Sequence, residues 1–267
     1  MKIGYCSDLH LDIDSGAWFD YDLPECDVLI LAGDIAQLCN LRHSMIGSYL
    51  YDNTSNFIYR VSAKYKRVLW VPGNHEYYDS SIGQAEMVGC AWLICEGISN
   101  VEISSKFSTV IEDVLFVGAT LWTDFNKENP LDIMNANIMN DYTNIGISDT
   151  GIGRLLRPTD VCKIHKEHRA FITQELYKNT LSKVVVITHH APDYESECGE
   201  VTNMTPMYCC TDMEQIILNH SPTYWIHGHT HKKVCYNIGE TKIISNPRGY
   251  FGFEEISKTF KVEVIEI

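Results

Sequence analysis

Three stretches of this chain, "DVLILA" (27–32), "RVLWV" (67–71) and "KVVVIT" (183–188), are apolar almost without interruption. A strand with one wet face alternates apolar and polar residues, whereas a strand covered on both faces need not. These runs therefore suit a sheet sandwiched between other layers. Helical patterns lie between them, at 43–66 and 81–95, and after the last of them, at 211–220. A clear amphipathic helix places Val161, Ile164, His168, Phe171, Ile172 and Leu176 on one face. Further strands are predicted at "KIGYC" (2–6), between 100 and 119, and at "TYWIH" (223–227). A hairpin follows in "KVCYNIG" and "TKIISNP", and the last strand is "TFKVEVIEI". This alternation implies an α/β layered fold.

Residues 120–158 break the pattern. They are polar, rich in Asn and Asp, and end at Pro158. They read as a long loop with a helical turn or two, the kind of insert that serves as a lid. No repeat, low-complexity stretch or linker divides the chain, so residues 1–267 are expected to form one domain with a lid at 120–158. That length can bury a core without disulfide staples. The opening "MKIGYCSDLH" does not read as a signal peptide, and no apolar run approaches the ~20 residues of a membrane span. The ten cysteines are scattered and form no C-x-x-C pair, which predicts reduced thiols and a cytoplasmic protein. A net charge of −14 repels duplex nucleic acid, and no basic run exceeds "HKK" at 231–233. Some of the acidity is available for divalent cations.

At least five predicted strands end in short polar tips: "DLH" (8–10), "GD" (33–34), "GNHE" (73–76), "HH" (189–190) and "GHTH" (228–231). In open α/β sheets, sites assemble outside the carboxyl ends of the strands. The tips supply Asp8, His10, Asp34, Asn74, His189, His229 and His231 as candidate ligands. Asp8 and His10 are two apart, so an extended strand end would aim both the same way. The same holds for His229 and His231. Seven ligands of mixed oxygen and nitrogen type suit two borderline divalent ions rather than one zinc or calcium ion. Mn²⁺ is the first expectation, with Fe, Zn²⁺ or Mg²⁺ as alternatives. Two ions about 3.5–4 Å apart form a clamp for displacement at phosphorus, with a bridging hydroxide as nucleophile. Asp34 could bridge the ions. His75, beside Asn74, is placed to protonate the leaving oxygen.

These blocks, in this order, resemble the calcineurin-like metallophosphoesterases; "LWTDF" (121–125), "MNDY" (139–142) and "NPRGY" (246–250) are similar to the small bacterial and phage-type members. The resemblance implies a four-layer α/β/β/α sandwich and a dinuclear-metal hydrolase of phosphate esters, a phosphodiesterase or phosphomonoesterase. It implies one ion held by Asp8, His10, Asp34 and His231, and a second by Asp34, Asn74, His189 and His229. It also supports His75 as the acid. The second block reads "GDIAQL" and lacks the Asp-Arg-Gly of the protein Ser/Thr phosphatases. The alternative to an enzyme is a scaffold of the same fold with weakened catalysis, which could have lost the acid that this chain keeps. His190, Arg248, Asp141 and Tyr142 are candidate substrate contacts. His227 is expected to support the strand end, and His43, His165, His168 and His220 to lie on surfaces or helix faces.

Overall fold

The computed structural model describes residues 1–13, 23–147 and 153–267. Among them, one five-stranded sheet has the order β14-β1-β2-β3-β5. Its members are β1 (Lys2–Cys6), β2 (Val28–Leu31), β3 (Arg67–Trp70), β5 (Val101–Ile103) and β14 (Glu263–Glu266). A six-stranded sheet has the order β12-β13-β11-β10-β7-β6. It contains β6 (Lys106–Ile111), β7 (Val114–Ala119), β10 (Lys183–Thr188), β11 (Tyr224–His227), β12 (Cys235–Ile238) and β13 (Thr241–Ser245). Interior pairs are parallel, and the antiparallel partners β14, β12 and β6 sit at the edges.

The uninterrupted apolar runs now have their reason. Val28 and Ile30 of β2 pack between the sheets, against Phe116, Val185, Ile187 and Ile226. Leu29 and Leu31, pointing the other way, meet Phe57, Ile58 and Val61 of the helix Tyr49–Lys64 and Trp92 of the helix Gln84–Cys95. Strand β10 does the same: Val185 and Ile187 face the first sheet, while Val184 and Val186 face Ile172, Leu176, Ile216 and Ile217. Those four belong to the helices Pro158–Lys178 and Glu214–His220. The layers therefore run helix, sheet, sheet, helix, the α/β/β/α sandwich that the family resemblance implied. The Ser48 hydroxyl caps the first helix by accepting from the Tyr51 N–H at 3.2 Å. Pro158 opens the third with Asp160 accepting from the Arg157 N–H at 3.1 Å.

Two details differ from the sequence reading. The region 120–158 carries more structure than a loop with a turn or two. It holds short helices at Pro130–Ala136 and Asp141–Asn144, and strands β8 (Ile145–Ile147) and β9 (Arg154–Leu155), which join β4 (Ser80–Ser81) in a small third sheet. Residues 148–152 of it lie outside the described residues. His165, expected on a surface or helix face, is buried at 1% exposure under the second sheet, beside His168, which is buried on the apolar face of its helix as its spacing predicts. No helix among the described residues is long and apolar enough to cross a membrane.

Candidate metal centre

The parallel strands of the two sheets bring their carboxyl ends to one rim. The Asp8 N–H donates to the Gly33 carbonyl at 2.9 Å, and the Gly228 N–H to the His189 carbonyl at 2.9 Å. Across the sheets, the His229 N–H donates to the Asp8 carboxylate at 3.0 Å. The His75 N–H donates to Asp34 Oδ1 at 2.9 Å. The five tips thus meet in one pocket, carrying Asp8, His10, Asp34, Asn74, His189, His229 and His231 with them.

How they converge differs from an extended strand end. Asp8, His10, Asp34, His229 and His231 take φ of 54°, 45°, 53°, 69° and 51°. Left-handed backbone costs a non-glycine residue on the order of 1 kcal/mol, least for Asp, Asn and His, and concentrates at functional sites. Two left-handed residues separated by one therefore aim the pairs Asp8/His10 and His229/His231 inward. The glycines before the tips are required by close approach. A Cβ on Gly33, itself at φ +85°, would collide with the His189 ring, and one on Gly73 with Asp34 Oδ1.

Ligand-type atoms gather in three overlapping sets: Asp8, His10 and His231; His10, Asp34 and His75; and Asp34, His189 and His229. Within each set the atoms lie within 4.8 Å of one another. Asp34 and His10 are the shared members. The nitrogens face one another, His10 Nε2 to His231 Nε2 at 3.0 Å and His189 Nε2 to His229 Nδ1 at 3.1 Å. Asn74 Oδ1 lies 3.2 Å from His189 Nε2. His229 Nε2 and His10 Nδ1 are buried with no hydrogen-bond partner. Orphaned buried nitrogens are unfavourable unless something cationic takes their lone pairs. The donor set, carboxylates with imidazoles and one amide oxygen, fits borderline divalent ions.

A second ring of residues fixes these groups. Glu76 is fully buried and accepts the N–H groups of Asp34, Ile35 and Gly73 and the Trp70 indole N–H at 2.7–3.0 Å. It thereby ties the second tip to the third. His189 Nδ1 donates to the Ala32 carbonyl at 2.9 Å. His231 Nδ1 faces the Glu254 carboxylate at 2.9 Å. Such partners set tautomer and ring orientation. Burial pushes the imidazoles of His10 and His229 well below the ordinary histidine range. Burial opposes protonation of His75 and His231 as well. For His75 the Asp34 and Asp12 carboxylates override it and lift the pKa to about 9; for His231, Asp8 and Glu254 lift it to about 10.

The four residues expected to touch substrate lie behind the pocket. Asp141, 4% exposed, accepts from Asn74 Nδ2 at 2.9 Å and from the Tyr78 hydroxyl at 2.7 Å, so it orients the amide. Tyr142 packs in the core that holds Leu9 and Trp122. His190 lies between Trp122, with ring centroids 5.1 Å apart, and His229, at 4.2 Å. Arg248, 1% exposed, donates to the Leu9 carbonyl at 2.5 Å and lies over Phe251. His227 is fully buried with Nε2 3.0 Å from the Ser196 hydroxyl, the supporting place expected of it. The cavity above the ligands, about 640 Å³, is walled instead by Asp12, Tyr78, Ile138, Met139, Tyr208, Tyr250 and Glu254, among others. Sequence reasoning assigned none of these. Glu76 is the last residue of the "GNHE" block and Asp12 lies two residues past "DLH", so both could have been suspected; Glu254 follows no polar strand tip.

The profile of the calcineurin-like phosphoesterases matches residues 1–233. By sequence, the uncharacterized protein L509 of Acanthamoeba polyphaga mimivirus is 26% identical, with 92% of this chain and 90% of that one covered. By structure, the phosphopantetheinyl hydrolase of Mycobacterium tuberculosis matches with a TM-score of 0.64 at 15% identity, covering 93% of this chain and 89% of the other. A dimetal phosphatase from Danio rerio matches with a TM-score of 0.48 at 14% identity, over 91% and 86% of the two chains. With the profile spanning most of its length, this chain belongs to the calcineurin-like phosphoesterase family, whose chemistry is metal-dependent hydrolysis of phosphate esters.

Proposed function

We propose that the chain is a dinuclear-metal hydrolase of phosphate esters. The observation that carries this is the place of Asp34, whose carboxylate belongs both to the set with His10 and His75 and to the set with His189 and His229. Asp8, His10, Asp34 and His231 would hold one divalent cation, Mn²⁺ foremost. Asp34, Asn74, His189 and His229 would hold the other. When bound, such a pair supplies Lewis acidity toward the phosphoryl oxygens and a water acidic enough to attack near neutral pH.

The chain's own groups do the rest. Asp34 fixes the spacing of the two positions. Asp141 turns the Asn74 amide so that its oxygen, not its nitrogen, faces inward. His75 sits against Tyr78 at 4.3 Å and lies beside His10, with Nδ1 3.5 Å from Asp12. That contact leaves its other nitrogen to give a proton to the leaving oxygen. Residues 138–140 form part of the cavity wall, which supports reading 120–158 as a lid on one domain spanning 1–267. Ten free cysteines support a cytoplasmic setting.

The test compares leaving groups. His75→Ala should keep its metal content by elemental analysis. It should lose about 10²–10⁴-fold in kcat/KM on alkyl phosphate esters and far less on p-nitrophenyl esters, whose leaving group needs no acid. Equal losses on both would overturn the acid role. Turnover that survives complete chelation would overturn the metal-dependent reading of this chain.

A further inference from the structure

We infer that this site takes phosphodiesters bearing one negative charge and at least one apolar or aromatic substituent, and that dianionic phosphomonoesters are its poorer substrates. The inference rests on the reading above and makes it specific. Its first support is the charge of the cavity wall. Enzymes that grip a dianionic phosphate place Arg or Lys forks on its oxygens. Among the described residues, no Lys or Arg lines this cavity. Arg248, near in sequence to the wall residue Tyr250, is turned inward to the Leu9 carbonyl. Lys232, next to His231, bonds to the Glu197 carbonyl and the Glu200 carboxylate, both at 2.8 Å. The stretches outside the described residues, 14–22 and 148–152, contain no Lys or Arg in their sequence and so have no such cation to supply. The carboxylates in the wall, Asp12 and Glu254, each face an imidazole, His75 Nδ1 at 3.5 Å and His231 Nδ1 at 2.9 Å. Outside the cation positions, only imidazoles already shared with these carboxylates are left to answer the second negative charge of a dianion.

The second support is the apolar wall. Tyr78, Tyr208 and Tyr250 surround the ligands. Tyr250 lies over His10 at 4.4 Å and Tyr208 edge-on to His229 at 5.2 Å. Ile138 and Ile13 also line the cavity and stand 71% and 45% exposed. A phosphorus atom held between two cations at this floor must project its ester substituents against these rings and side chains. An apolar or aromatic substituent gains by covering them, roughly 25 cal/mol for each Å² removed from water. A bare phosphate monoester of a polar alcohol gains nothing there.

The experiment uses the full-length protein loaded with Mn²⁺. Binding is read by calorimetry with two ligands whose P–C bonds cannot be hydrolysed: diphenylphosphinate, a monoanion with two rings, and phenylphosphonate, a dianion with one. Diphenylphosphinate should bind at least about tenfold tighter. In kinetics, kcat/KM should fall from bis-p-nitrophenyl phosphate to methyl p-nitrophenyl phosphate to p-nitrophenyl phosphate, three esters with one leaving group. Ile138→Lys places a cation on an exposed wall position where folding is not at risk. It should strengthen phenylphosphonate binding several-fold and narrow the diester preference. Tighter binding of phenylphosphonate, or preferred turnover of the monoester, would overturn the inference. Absence of turnover with every ester would defeat the hydrolase reading by itself, and the phosphinate-against-phosphonate comparison would still decide the inference.

Discussion

The two halves of the ligand cluster are propped differently. On one side His189 is fully buried, and its outer nitrogen is held by the Ala32 carbonyl at the end of the apolar run that contains β2. On the other side the His231 side chain is 17% exposed, and its outer nitrogen faces the Glu254 carboxylate, itself 31% exposed. A backbone carbonyl bonded into the sheet region cannot move without disturbing the core. A carboxylate on a loop can. His189 is thus held by the fold, whereas His231, in the half with Asp8 and His10, depends on a residue that the sheets do not position. The carboxylate partner also makes its imidazole a stronger base, so a cation proposed to sit in that half would gain affinity from a group that can be removed.

The widest effect should come from the residue that belongs to both halves. Asp34→Asn removes the charge that would link them, so metal content should drop by at least one ion per chain. Activity should fall by about 10³-fold or more, because several kcal/mol of charge stabilisation are lost. Elemental analysis beside initial rates gives the answer, and full occupancy in the variant would refute the bridging role. Glu254→Gln should separate the halves. Losing a carboxylate behind a ligating imidazole typically weakens an ion 10–100-fold. Titration with Mn²⁺ should therefore show one site weakened by that factor and the other unchanged. Parallel weakening of both sites would erase the distinction drawn here.

The difference between the halves matches what could be read from the chain. The tips were legible because buried strands are continuous in apolar residues and ligands are polar, so each boundary, as at Thr188/His189, marks a site. A layered α/β fold was legible in the same runs, since adjacent apolar residues such as Leu29 and Ile30 suit a strand covered on both faces, while the count of four layers came from the family resemblance. The left-handed turns at Asp8 and His10 were not, because Asp and His tolerate that backbone without demanding it. Glu254 was not, because nothing local marks an exposed loop carboxylate that meets its partner 23 residues away. Strands β4 and β9, two residues each, are too short to show a period. His165 was misplaced because an imidazole on an amphipathic helix reads equally well as boundary or surface, whereas His168 is buried on the apolar face where its spacing put it.

That last pair gives the buried half a prop of its own. Leu121 and Trp122 are left-handed, with φ of 69° and 59°. The Leu121 N–H donates to His168 Nδ1 at 3.1 Å, and its carbonyl faces His165 Nδ1 at 3.2 Å. Trp122 then stacks on His190, which packs against His229. His168 must stay neutral at Nδ1 to accept, and burial, with Lys106 and His165 nearby, pushes its pKa down to about 3. In the unfolded chain it titrates near 6.5. Between those values the unfolded state binds the extra proton, so stability falls as pH drops from about 6.5 toward 3 and is indifferent to this group above 6.5. At pH 5 the loss from His168 should reach about 2 kcal/mol. Gln can accept the same N–H without titrating, so His168→Gln should lose less thermal stability than the parent between pH 7 and 5. His227, also depressed by burial to about 4, is present in both proteins and cancels from the difference. Identical melting curves against pH would show that the buried half does not lean on a neutral His168, and that its support ends at the sheet.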